Sequence, residues 1–415
     1  MLSCADKKQN STETHETVST TTIPDLFERR GELAGATEWQ RTKEKVAELK
    51  QKIRKEPSDI KSRLQIAMIY LSEARITGEH PYYYPAILTI LDGVLAMDPK
   101  NFEATTFKSS VKMSQHQFSE AKALAEKARQ INPNNAYVYG VLVDANVELG
   151  NYEEAVKMSD RMQELKPSLE AYSRASYLRE IYGNYPSSIE AMKLAVQAGL
   201  PGSEPQCWSK NTLGHLYETT GQLAKAEQQY TGILMLRPSY AFAMAGQARI
   251  HKARKEYDKA LTMLEKAAAI MPEFSFHEQM AELYALQGNQ EKARKKYADV
   301  VTMLNEDARS GHAVDLELCK LYTKTGQLDS AAKYGMREYK KRPNNIDVNH
   351  ALAWVYFNQH DLKKAQQHMQ VALRTGSKDP ELLQQAGTIE LALGNAQQRN
   401  KLIAAARKTN PNFAL

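Results

Sequence analysis

Four prolines, Pro99, Pro133, Pro167 and Pro201, stand 34 residues apart. Pro238 and Pro272 keep the same step, and Ser377 to Pro411 closes the series. A fixed period of this length means that each unit cannot bury its apolar face alone and must stack on its neighbours. Such a stack produces a long surface. It does not by itself produce an active site.

Between prolines the pattern describes two amphipathic helices and a turn. In the segment from Ala136 to Pro167, Val138, Leu142, Ala145 and Leu149 fall at helical spacing, and Gly150-Asn151 ends that run. A second run starts near Glu153 and carries Ala155, Met158, Met162 and Leu165 before Lys166-Pro167. Proline stops it, because proline lacks an N–H and restricts the residue before it. Ala121, Ala155, Ala226, Ala260, Ala331 and Ala365 all lie 12 residues before the closing position of their unit. A small residue there lets two helices approach closely. The turn slot reads Gly150, Gly221, Gly326 and Gly394, a residue that tolerates the left-handed conformation ending a helix.

These residues resemble the tetratricopeptide repeat family. The clearest unit is Leu213-Gly214, Tyr217, Gly221, Ala226, Tyr230 and Pro238, and the resemblance runs from about residue 58 to 415. It implies an all-α, right-handed superhelical solenoid of about ten tandem antiparallel helix pairs. It also implies a non-enzymatic scaffold that binds a protein or extended peptide on its concave face. The expected organisation is a disordered polar tail over residues 1–36, a capping helix over 37–56 and the solenoid over 57–415.

Departures from the period mark irregular units. Pro57 to Pro99 spans 42 residues because of an insertion at 77–85, which contains Tyr82-Tyr83-Tyr84. This resembles inserted units that open some bacterial members of the family. Gly202 to Pro205 lengthens one link, and residues 305–314 lengthen another. The first, seventh and last units are the least regular.

A chain of 415 residues exceeds one compact core, but a solenoid has no such ceiling. Lys and Arg number 55 against 49 Asp and Glu, a spread-out net charge of +6. The basic residues between Arg41 and Lys55 are interleaved with Glu44 and Glu48, so they read as a solvated helix face and not as a nucleic-acid patch. There is no apolar run long enough to cross a membrane. Leu2-Ser3-Cys4 ahead of a Ser/Thr-rich stretch resembles the end of a bacterial lipoprotein signal. That likeness makes Cys4 a candidate lipidation site. It sets a second expectation beside the scaffold: an assembly or transport lipoprotein at the outer membrane, facing the periplasm, if the true start lies upstream of Met1, and otherwise a cytoplasmic protein. Cys207 and Cys319 lie in distant units and form neither a disulfide framework nor a metal site; both read as small buried residues.

No phosphate loop, Gly-x-Ser-x-Gly elbow or His-Glu-x-x-His is present, and the ten histidines are scattered. No catalytic group, metal or cofactor is therefore expected. In the family, the second, fifth, ninth and twelfth positions of each first helix line the concave face. Carried over, these give Tyr137, Arg174, Trp208, Asn211, His215, Phe242, Arg249 and Phe276 as the candidate groove, with His350 and Trp354 further on. Trp208, Phe242 and Phe276 stand 34 apart, an aromatic ladder along the superhelix. Flanking Arg and Asn side chains would hydrogen-bond the backbone of an extended peptide. Ordinary core packing is the alternative for the aromatics. The Lys/Asn pair with which some members grip a C-terminal carboxylate is absent, since those positions read Thr106, Ser110, Gly140 and Asp144.

Overall fold

The computed structural model describes residues 23–413. The described residues contain α-helices, one short 3-10 turn at Gly31–Gly35 and no strand. A first helix, Thr37–Lys55, precedes ten helix pairs spanning 60–97, 102–131, 136–165, 169–198, 204–236, 241–270, 274–309, 315–341, 346–372 and 380–409. Each first helix packs on its own second helix and on the second helix of the pair before it.

The six alanines of the small-residue slot are all fully buried. Cys207 and Cys319 are buried as well. Asparagine, serine or aspartate caps most first helices: Asn101, Asn135, Ser168, Ser203, Asn345 and Asp379 each accept from a backbone N–H of the opening turn.

The insertion in the first unit does not loop out. Residues 80–85 form the opening turns of the helix His80–Met97, with Tyr83 and Tyr84 buried. Residues 305–314 likewise continue the helix Gln290–Arg309 and then form a link. The tail expected through residue 36 is not disordered over Ile23–Ala36. The hydroxyl of Tyr70 donates to the carbonyl of Pro24 at 2.5 Å, and that of Tyr82 donates to the carbonyl of Asp25 at 2.6 Å. Arg29 is buried and donates to both carboxylate oxygens of Glu73, at 2.9 and 2.6 Å. Polar composition misled here, because the anchors are backbone carbonyls met by tyrosines of the first unit. Residues 1–22, with Cys4, lie outside the described residues.

The superhelix closes on itself. Intra-repeat turns of the early units meet the links ahead of later ones. In the second unit, the carbonyl of Gln115 accepts from the N–H of Ala313, ahead of the eighth (2.9 Å). Gln117 donates to the carbonyl of Gly311 (2.7 Å). At the third unit's turn, Arg342 pairs with Glu148, Asn345 donates to the carbonyl of Glu148 (2.9 Å), and the N–H of Ile346 donates to the hydroxyl of Tyr152 (2.9 Å). Arg374 donates to the carbonyl of Gly150. At the fifth, Asn410 donates to the carbonyl of Glu218 (3.4 Å). The contacts step about six repeats, as from the second to the eighth or the third to the ninth. Successive turns of the superhelix are therefore joined along a hydrogen-bonded seam.

Candidate functional site

Trp208, the fifth residue of the helix Glu204–Thr219, is 45% exposed, and Tyr137 is 43% exposed. For side chains of this size that is unusual solvent contact. The hydroxyl of Tyr137 hydrogen-bonds Ser110 at 3.0 Å, and its ring meets Phe107 edge-on. Phe242 is half-buried and meets Phe276 edge-on at 5.6 Å.

Phe276 is not a groove residue, being only 1% exposed. The cause is a slip of register. From Pro238 to the small slot Ala260 is 22 residues, but from Pro272 to Ala293 is 21. The helix Phe274–Leu286 therefore places Phe276 third, where Ala241–Ala253 places the buried Ala243 and Phe242 falls second. One residue turns a side chain by about 100° around a helix, enough to carry it from surface to core. The aromatic ladder ends at Phe242.

The same slip occurs in the fourth repeat. Pro167 lies 21 residues before the buried Ser188, whose carbonyl accepts from the hydroxyl of Ser176. Counted from the start of Leu169–Ile181, the ninth and twelfth positions are Tyr177 and Glu180, which the period alone misses. The 21-residue spacing was a readable signal for both shifts.

The two arginines are braces. The Nε of Arg174 donates to the carboxylate of Asp144 (2.9 Å) and the carbonyl of Gly140 (3.0 Å), and its Nη2 donates to the other oxygen of Asp144 (2.6 Å). Gly140 leaves the space: a Cβ there would stand 3.1 Å from the guanidinium carbon. Arg249 grips Glu218 through two nitrogens, at 2.8 and 3.1 Å, and donates to the hydroxyl of Tyr230 at 3.0 Å. The Tyr230 hydroxyl also donates to Glu218. The ring of Tyr230 lies between Gly214 and Gly246, where a Cβ would approach within 2.6 and 2.5 Å. Both arginines tie one repeat to the preceding one, so their main donors are not turned to a partner's backbone.

Asn211 keeps a buried Oδ1 that accepts no hydrogen bond. His215 is exposed by area, yet burial lowers its pKa against the pull of Glu218 and of Asp379 from the tenth repeat. His350 is similarly lowered by burial and hydrogen-bonds Gln385 at 2.9 Å. Trp354 stacks on Phe357 at 4.9 Å. Among the described residues no group of His, Cys, Asp or Glu is arranged to hold a metal ion, and no helix is long and apolar enough to cross a membrane.

Comparison with known proteins fits this architecture. Residues 112–180 and 209–240 each match a tetratricopeptide repeat model. Those two segments are tetratricopeptide repeats, and the paired helices across the described residues form a solenoid of that kind. The chain is 24% identical over 258 residues to the human mitochondrial import receptor subunit TOM70, a match covering 60% of this chain and 42% of the receptor. The chain thus spans less than half of that relative's length. The Cut9–Hcn1 hetero-tetramer of the APC/C is similar with a TM-score of 0.46 at 12% identity, covering 84% of this chain and 56% of that one. A thermophilic repeat protein of Thermus thermophilus gives a TM-score of 0.40 at 18% identity, covering 46% and 97%.

Proposed function

We propose that this protein is a non-enzymatic scaffold that holds an extended polypeptide of a partner protein in the lumen of its superhelix, against the fifth and sixth repeats. The observation that carries this reading is the solvent exposure of Trp208, a large ring that stays 45% exposed. The exposed part of that ring is available as an interface anchor. Phe242 extends the apolar surface, and Asn211 and His215 supply polar groups one and two helical turns along from Trp208. Arg174 and Arg249 hold the repeats in register, so they set the shape of the surface.

Capture of a partner from native host extract, followed by affinity measurement with Trp208→Ala, tests the reading. The expected loss is about 2 kcal/mol or more, in the range of interface hot spots. Thermal stability should stay near that of the parent. A variant that melts early while binding normally would place Trp208 in the core and end the proposal. On the residues Leu2-Ser3-Cys4 alone we also propose lipid attachment at Cys4, with the scaffold tethered to the cell envelope. Mass analysis of the N-terminal peptide decides it.

A further inference from the structure

A cavity of about 180 Å³ lies where the fourth repeat faces the ninth and tenth. Its floor is apolar, formed by Ile181, Ile346 and Leu382, and the rings of Tyr177 and Tyr185 stand at its side. Glu180, Asp347 and Asp379 line it, and no lysine or arginine does. Asp379 is engaged through one oxygen, as the cap of the helix Pro380–Ala392. The carboxylates of Glu180 and Asp347 accept no hydrogen bond and form no ion pair among the described residues.

Other inner-face carboxylates contrast with these. Asp144 pairs with Arg174, Glu218 with Arg249, Glu278 with Lys324, and Glu282 with both Lys252 and Lys324. Of the nearby seam cations, Arg342 is committed to Glu148 and Glu338, and Arg374 to the carbonyl of Gly150 and the face of Tyr152. Lys378 lays its stem against the turn at Gly183 and does not line the cavity. Asp347 and Asp379 sit at the starts of helices, where the helix dipole favours the ionised form. Glu180 must face both. Burial and these two carboxylates raise its pKa to about 7.

We infer that this cavity seats a basic side chain, lysine or arginine, of the polypeptide that occupies the lumen. The inference rests on the lumen reading above and gives its partner a chemistry. The methylenes would lie on Ile181 and Leu382, the cation would meet the carboxylates that lack one, and the tyrosine rings would offer their faces to it. The carboxylates alone would only be repulsive. Their placement around an apolar-floored cavity with phenol rings is what fits an alkyl chain ending in a charge. Asp347 and His350 occupy the second and fifth positions of their helix, and Tyr177 and Glu180 the ninth and twelfth of theirs, so the cavity lies on the line of the groove.

The test uses the full chain and two fluorescent nine-residue peptides, identical except that three lysines in one are norleucines in the other. Anisotropy titration should show at least tenfold tighter binding of the lysine peptide. The double variant Glu180→Gln/Asp347→Asn should remove that preference, while Glu153→Gln/Glu154→Gln, on the second helix of the third repeat, should leave it intact. Equal binding of both peptides, or equal losses in both double variants, overturns the inference. Because Glu180→Gln is isosteric and relieves repulsion, that single variant should melt no lower than the parent; a lower melting temperature would show that the Glu180 carboxylate is structural and equally overturn it. The lumen reading fails separately: it falls if Trp208→Ala leaves partner capture unchanged, whatever the lysine peptide does.

Discussion

Two sets of intra-repeat turns share one sequence signature and differ in everything around them. Leu149-Gly150-Asn151 in the third repeat and Leu393-Gly394-Asn395 in the tenth are the same tripeptide, with glycine φ of +78° and +84°. A Cβ on Gly150 would stand 2.4 Å from the backbone of Asn344, whereas one on Gly394 would meet nothing within 4 Å. Thr220-Gly221-Gln222 and Thr325-Gly326-Gln327 make the same contrast, since Gly221 faces Asn410 and Gly326 faces open space. Local sequence fixes the left-handed turn in all four. Whether the turn is a seam or a free edge depends only on whether another superhelical turn lies above it.

The largest effect that could break this comparison lies at the centre of the seam. Arg342 is 4% exposed, paired with Glu338 on its own helix and with Glu148 across the seam, and stacked on Phe118 of the second repeat at 4.6 Å. Arg342→Ala leaves Glu338 buried beside only Lys341, and breaking a buried pair in this way costs about 3–5 kcal/mol. Arg237, at the equivalent link ahead of the sixth repeat, reaches Glu38 only at 3.8 Å, and Glu38 is half-exposed. Arg237→Ala should cost less than about 1 kcal/mol. Urea midpoints measure both. Equal losses would mean that the seam adds nothing beyond ordinary stacking of neighbours.

The glycines sharpen the same point. Gly394→Ala meets only the left-handed backbone penalty, about 1–2 kcal/mol. Gly150→Ala adds a backbone clash and should cost about 2–4 kcal/mol, with faster hydrogen exchange at the N–H of Ile346, which donates to Tyr152. If both variants lose the same stability and the amide of Ile346 stays protected, the turns of the superhelix merely lie near each other.

The fold was legible because a period of 34 residues, a fixed small-residue slot and closing prolines all report contacts between neighbours in sequence. Ala226 illustrates it: one residue type at one offset, fully buried as expected. The seam was not legible. It joins residues close to 200 positions apart, and most of its acceptors are backbone carbonyls, which every sequence presents. Groove residues fell between these cases. Trp208 and Tyr137 are exposed where the repeat register puts them, but Phe276 is buried because one missing residue after Pro272 rotates its helix. Arg174 and Arg249 were groove candidates by the 34-residue period; their carboxylate partners one repeat back, Asp144 and Glu218, make them braces.

The two ends of the seam should respond to pH in opposite directions, and this is the smallest effect expected. At the end nearest the first repeat, His80 and His312 lie 6.1 Å apart beside Tyr84, and burial lowers each pKa to about 4, with His116 adding to the effect. Unfolded, they titrate near 6.5, so their contribution is complete above that pH and is lost as pH falls toward 4. At the far end, Glu180 has a pKa raised to about 7 from an unfolded value near 4.5. Its contribution is complete below 4.5 and is lost as pH rises through 7. Each end should change by an amount on the order of 1 kcal/mol, since both are partly reached by solvent. Hydrogen exchange at pH-corrected rates can follow them separately, through the amide of Ala313 at the histidine end and that of Leu382 at the carboxylate end. Acidification from pH 7 to 5 should loosen the first and tighten the second. His80→Phe should weaken the first response and Glu180→Gln should flatten the second. Two ends that loosen together would mean that the seam opens as one unit and that neither cluster acts locally.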